Sequence, residues 1–160
     1  MKTLNHPFEL TSEQRKQGAR YNLAVVAALF IFMLIVSATG TDATMLVVEV
    51  VLAIAVGFTM RRGTQRGWML YAEKYQPAAT YTFTMDLKLG VLWRALAIWL
   101  GGCVILEFLT AMASSSLAIA FEFFIGASIV IQAAHSLGLR FGWKSADSTL
   151  PRALPTTASS

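Results

Sequence analysis

Apolar residues in this chain gather into four long runs, separated by short polar stretches. The first run, about 22–38, is uncharged from Asn22 to Ala38. The second, about 44–60, is interrupted only by Glu49. The third, about 89–112, holds Arg94 near one end and Glu107 near the other. The fourth, about 117–137, has Glu122 near its start and Gln132 and His135 near its end. A helix needs about 20 mainly apolar residues, within a range of about 17–25, to cross a bilayer. Each run is therefore predicted to be a transmembrane helix, the second being short enough to stand steeply or thin the bilayer. The expected fold class is an all-α membrane protein, a four-transmembrane-helix bundle with short outer turns and one longer cytoplasmic loop.

The polar stretches divide the rest. Residues 1–21 form an N-terminal arm in which Thr11 and Gln14 have capping-box spacing, so a short helix starting there would run into the first span. Val36-Ser37-Ala38 resembles a signal-peptidase site. The polar lead is long, however, and the apolar run exceeds a signal peptide's core of about 7–15 residues, so a retained anchor is expected. Gly40, Thr41 and Asp42 make a tight turn, as do Ser114, Ser115 and Ser116. In the loop 61–88, Trp68, Tyr71 and Tyr75 are spaced for one side of a helix lying among the headgroups, ended by Gln76-Pro77. Residues 80–87 alternate polar and apolar, a strand pattern. A lone strand at a membrane surface has no partner, so an irregular approach is expected, with Thr82 or Thr84 capping the third span. Residues 22–144 make the transmembrane domain, and 145–160 read as a disordered cytoplasmic tail.

Composition agrees. Of 160 residues, 56% are hydrophobic and 14% charged, against about 45–50% and about 25% in soluble domains. The net charge of +4 does not form a nucleic-acid patch, because the basic residues flank apolar runs. They fall in the N-terminal arm, in the middle loop (Arg61, Arg62, Arg66, Lys74, Lys88) and in the C-terminal segment, with Arg94 just inside the third span on the side of the middle loop, and neither short turn has any. By the positive-inside rule these three segments and both termini are cytoplasmic, and loops this short suit a bacterial inner (cytoplasmic) membrane. Arg61, Arg62, Arg66, Trp68, Tyr71 and Arg94 are the expected membrane-interface anchors, Arg94 snorkelling to headgroups or pairing with Asp86 or Glu73.

Chemistry is sparse. Three carboxylates, Glu49, Glu107 and Glu122, lie each about five residues from the outer end of a span, roughly 7–8 Å deep. An intramembrane carboxylate suggests an ion, proton or partner site, although at that depth it can also snorkel outward. If all three converged, repulsion would require a proton, a bound cation or water among them. Gly101, Gly126, Ala127 and Ala134 have small-residue spacing for helix packing, which could serve the bundle or a partner. Cys103 is alone, so neither an intrachain disulfide nor a thiolate metal site is expected. Haem would want a second well-placed His beside His135, and no other cofactor is indicated. No enzyme motif is present. The expected function is a non-enzymatic interaction or accessory protein that binds another membrane protein, or a second copy of itself as a homo-oligomer; immunity and exclusion proteins belong to this class. The alternative is a small transporter or channel component using the glutamate layer.

Overall fold

The computed structural model describes residues 10–38, 44–112 and 116–150. The turns expected at Gly40–Asp42 and Ser114–Ser116 lie wholly or mostly outside them, as does the tail beyond Leu150. Four helices make up the described chain: α1 (Ser12–Ala38), α2 (Thr44–Tyr75), α3 (Met85–Met112) and α4 (Ser116–Thr149). Three of them, α1, α3 and α4, are long and apolar enough to cross a membrane.

The helix starts follow local chemistry. The Gln14 amide donates to Thr11 Oγ1 at 3.2 Å and the Thr11 amide donates to Gln14 Oε1 at 3.0 Å, the reciprocal capping box that satisfies two orphan donors. Thr11→Ala should cost the first turn about 1 kcal/mol, read as amide exchange roughly fivefold faster at residues 12–16 with the rest of α1 unchanged. At the start of α3 the Leu87 amide donates to Thr84 Oγ1. Residues 79–84 form no strand, and α2 stops one residue before Gln76-Pro77. There the proline disfavours helical backbone in the residue before it.

α4 touches all three other helices, its contact with α2 being the most extensive, whereas α1 and α3 do not meet. α2 and α4 therefore form a central pair, flanked on one side by α1 and on the other by α3. The main core lies where they converge, around Leu52, Val56, Met60, Ala127, Ile131 and Ala134, all fully enclosed.

Two expectations fail at the ends of the apolar runs. α2 does not stop near Met60 to restart as a helix lying flat among headgroups; it continues unbroken to Tyr75. α4 likewise passes residue 145, where a disordered tail was expected, and ends at Thr149. The cause is a shared seam of glycines. A Cβ on Gly63 would stand 2.6 Å from the His135 carbonyl oxygen, and one on Gly138 would stand 2.5 Å from that of Met60. On Gly67 and Gly142 it would run into the carbonyls of Leu139 and Thr64. Only hydrogen at all four positions lets the backbones approach this closely. The pairing order, Gly63 with Gly138 and Tyr71 with Asp147, shows the two helices running parallel.

Beyond the glycines the seam turns aromatic. Trp68 and Tyr71, expected among the headgroups, are only 5% and 1% exposed, enclosed in a cluster with Leu139, Trp143 and Ala146 of α4, with Tyr81 edge-on to Trp68. Tyr71 meets the Trp143 ring edge-on at a centroid distance of 5.2 Å and donates its hydroxyl to Asp147 Oδ1 at 3.0 Å. Tyr75, Tyr81 and Leu150 close a second cluster around them, separate from the main core.

Candidate functional site

The three glutamates of the apolar runs do not share one environment. Glu49 on α2 and Glu107 on α3 line a small cavity of about 70 Å³ with Cys103, Met33, Val48, Leu52, Leu106 and Phe123. That volume admits a few waters, and among the described residues the two carboxylates are its only ionisable oxygens. α3 is held in register with α2 there by the Trp99 indole, which donates to the Glu49 backbone oxygen at 3.0 Å. Glu122 on α4 does not line the cavity, although its neighbour Phe123 does. Its Oε2 is buried and has no hydrogen-bond partner among the described residues. Among those residues no three acidic, His or Cys side chains come together as a metal site.

The basic residues at the other end of the apolar zone bind to rings and an amide. Arg61 lies over the Phe83 ring at 5.0 Å and Arg62 over the Tyr21 ring at 4.0 Å. Arg66 donates to Gln17 Oε1 at 3.3 Å. Arg94, for which headgroups or Asp86 and Glu73 were the expected partners, covers the Phe141 ring at 3.9 Å and donates to the Gly90 carbonyl at 3.0 Å. The guanidinium is therefore steadied by α4 although the residue as a whole stays exposed.

At the same level is a polar node that hydropathy alone does not reveal. Asn22 Nδ2 on α1 donates to Gln132 Oε1 on α4, and His135 is buried one turn away, its ring beside Gly18. Asn22 was counted simply as the first residue of an uncharged run. Its pairing with Gln132 gives α1 a specific rotational setting against α4, since an amide in an apolar interface otherwise loses its hydrogen bonds.

The expected packing residues divide. Ala127 and Ala134 are fully buried in the core, and Gly126 lies against the ends of Leu106 and Leu109. Gly101 does not pack inside the bundle: it is exposed, and nothing stands within 4 Å of where its Cβ would be. The close approach falls one residue on, at Gly102, against Val130. Since successive helical residues are about 100° apart, that single step turns Gly101 outward together with Ala97, which is also exposed.

No protein-family model, curated protein or solved structure matches the chain.

Proposed function

We propose that this is a small interaction or accessory protein of the bacterial inner membrane that binds another membrane protein through the outward face of α3. In this reading α2 provides a fourth crossing, both termini and the 61–88 segment are cytoplasmic, and the class is one to which immunity and exclusion proteins also belong. The supporting observation is the outward notch at Ala97 and Gly101, with open space above the glycine. Leu100 and Val104 border it at 53% and 66% exposure. Lipid tails are as apolar as leucine, so association in a bilayer depends on close packing, and small residues one turn apart permit it. The bundle does not use this notch, since its own close contacts are made at Gly102, Gly126 and the α2–α4 seam.

A photo-crosslinking residue placed at 101 should form one defined adduct in native membranes, and the same residue at Leu34, on the outer face of α1, should not. Ala97→Leu with Gly101→Leu should abolish co-purification of that partner while leaving the Tm in detergent unchanged. Retained binding in the double variant would refute the α3 face. Topology is tested separately with reporters fused after Asp42, Lys74 and Ser115. Activity of an export-dependent reporter is expected after Asp42 and Ser115, and activity after Lys74 would overturn the orientation.

The alternative, a transporter or channel component, draws on the Glu49–Glu107 cavity. If that cavity carries cations or protons, Glu49→Gln and Glu107→Gln each remove flux in proteoliposomes but leave crosslinking from position 101 intact.

A further inference from the structure

We infer that the cleft between α1 and α2 at the cytoplasmic end of the apolar zone binds the phosphate of an anionic headgroup. Its lining is Tyr21 from α1 and Phe58, Arg61, Arg62, Gln65, Arg66 and Met69 from α2, around an open volume of about 470 Å³. Small-ligand sites typically occupy about 300–1,000 Å³.

Arg62 and Arg66 are one turn apart on the same face of α2, and each is steadied by α1. Stacking on Tyr21 holds the plane of the Arg62 guanidinium and leaves its N–H edges free to donate. Arg66 gives one N–H to Gln17 and keeps the others. Arg61 closes the third side, its guanidinium over the Phe83 ring with its N–H edges left to donate. The contacts made by these three cations are with two rings and an amide, none with a carboxylate of the described residues. Three pre-set guanidinium forks in one cleft match the oxygens of a phosphate, which arginine binds in bidentate fashion.

Depth indicates where the phosphate comes from. Arg61 to Arg66 covers about 7.5 Å of helix at about 1.5 Å per residue, close to the headgroup layer of roughly 5–7 Å on each side of the hydrocarbon. Phe58, one turn toward the apolar zone and 63% exposed, extends the cleft into acyl-chain territory. A phospholipid would thus place its phosphate among the arginines and its glycerol beside Phe58. The inference rests on the membrane placement of α2 proposed above, and not on the α3 face.

The test uses the full chain in lipid-free dodecyl maltoside, with retention in the micelle scored separately from lipid binding. Native mass spectrometry follows titration with dioleoylphosphatidylglycerol or dioleoylphosphatidylcholine. Phosphatidylglycerol should bind at least about tenfold more tightly, and Arg62→Gln with Arg66→Gln should weaken it by about thirtyfold. Lys74→Gln, on the same helix but outside the cleft, should leave binding unchanged. If the glutamine pair fails to fold, Arg66→Lys keeps the charge, loses the fork and should still weaken binding severalfold. Glycerol 3-phosphate that fails to displace the lipid identifies a lipid site; efficient displacement keeps the phosphate site and assigns it to a soluble phosphoester. Equal binding of phosphatidylcholine, equal loss in Lys74→Gln, or full binding by folded arginine variants would overturn the inference.

Discussion

Gly67→Ala and Gly142→Ala should each destabilise the protein by about 3 kcal/mol, at the upper end of what overpacking costs. A methyl group at either position meets a backbone carbonyl, Leu139 in the first case and Thr64 in the second. A flexible side chain could swing aside, but a carbonyl inside a hydrogen-bonded helix cannot, so α2 and α4 must separate. Separation loses dispersion contact along the whole seam, because attraction between packed atoms falls steeply with a gap of even half an ångström. In detergent the loss should lower Tm by roughly 6–12 °C. Gly57→Ala and Gly101→Ala are the controls, since neither Cβ would have a neighbour within 4 Å. Both should be neutral or slightly stabilising, alanine being the better helix former by about 1 kcal/mol. If Gly67→Ala proves as stable as Gly57→Ala, the two backbones do not approach in this way.

The second large effect belongs to Tyr71, one of the largest fully buried side chains. Tyr71→Ala should cost about 3–5 kcal/mol by leaving a cavity between α2 and Trp143. Tyr71→Phe keeps the ring contacts and loses the hydroxyl's bond to Asp147, a change of about 1 kcal/mol. Limited trypsinolysis reads the difference directly, with Lys74 as the reporter bond. Cleavage there should be fast in the alanine variant and close to native in the phenylalanine variant. Equal protection in both would mean that the aromatic cluster does not hold the ends of α2 and α4 together.

The apolar stretches of α1, α3 and α4, long enough to cross a membrane, were legible because apolar run length is a one-dimensional signal. The capping box at Thr11 and the Thr84 cap were legible because they depend on residues three apart. The glycine seam was not. Gly63 and Gly67 stand among Arg, Thr and Gln, and this polar setting reads as a loop even though the spacing is the same small-residue spacing found inside the spans. Trp68 and Tyr71 were correctly placed on one side of a helix, but spacing cannot say whether lipid headgroups or a second helix covers that side. The glutamates show the same limit. Counting from the helix ends gives their depth, while rotation about the helix axis decides which of them meet, and that rotation is set by contacts such as Asn22 with Gln132. Gly101 and Gly102 differ by a single step of that rotation, and one faces outward while the other faces α4.

The parallel seam has a consequence for biosynthesis. Gly63 and Gly138 are roughly 75 residues apart, and at about 5–20 residues per second α2 waits roughly 4–15 s on the ribosome before its partner has been made. Throughout that interval its glycine face has nothing to pair with, and the helix beyond Met60 is supported only from its other sides, by Tyr21 and Gln17 of α1 and by Tyr81 and Phe83. A chain arrested before α4 should therefore be cleaved faster after Arg61, Arg62 and Arg66 than the complete protein, because the face that α4 covers is still open.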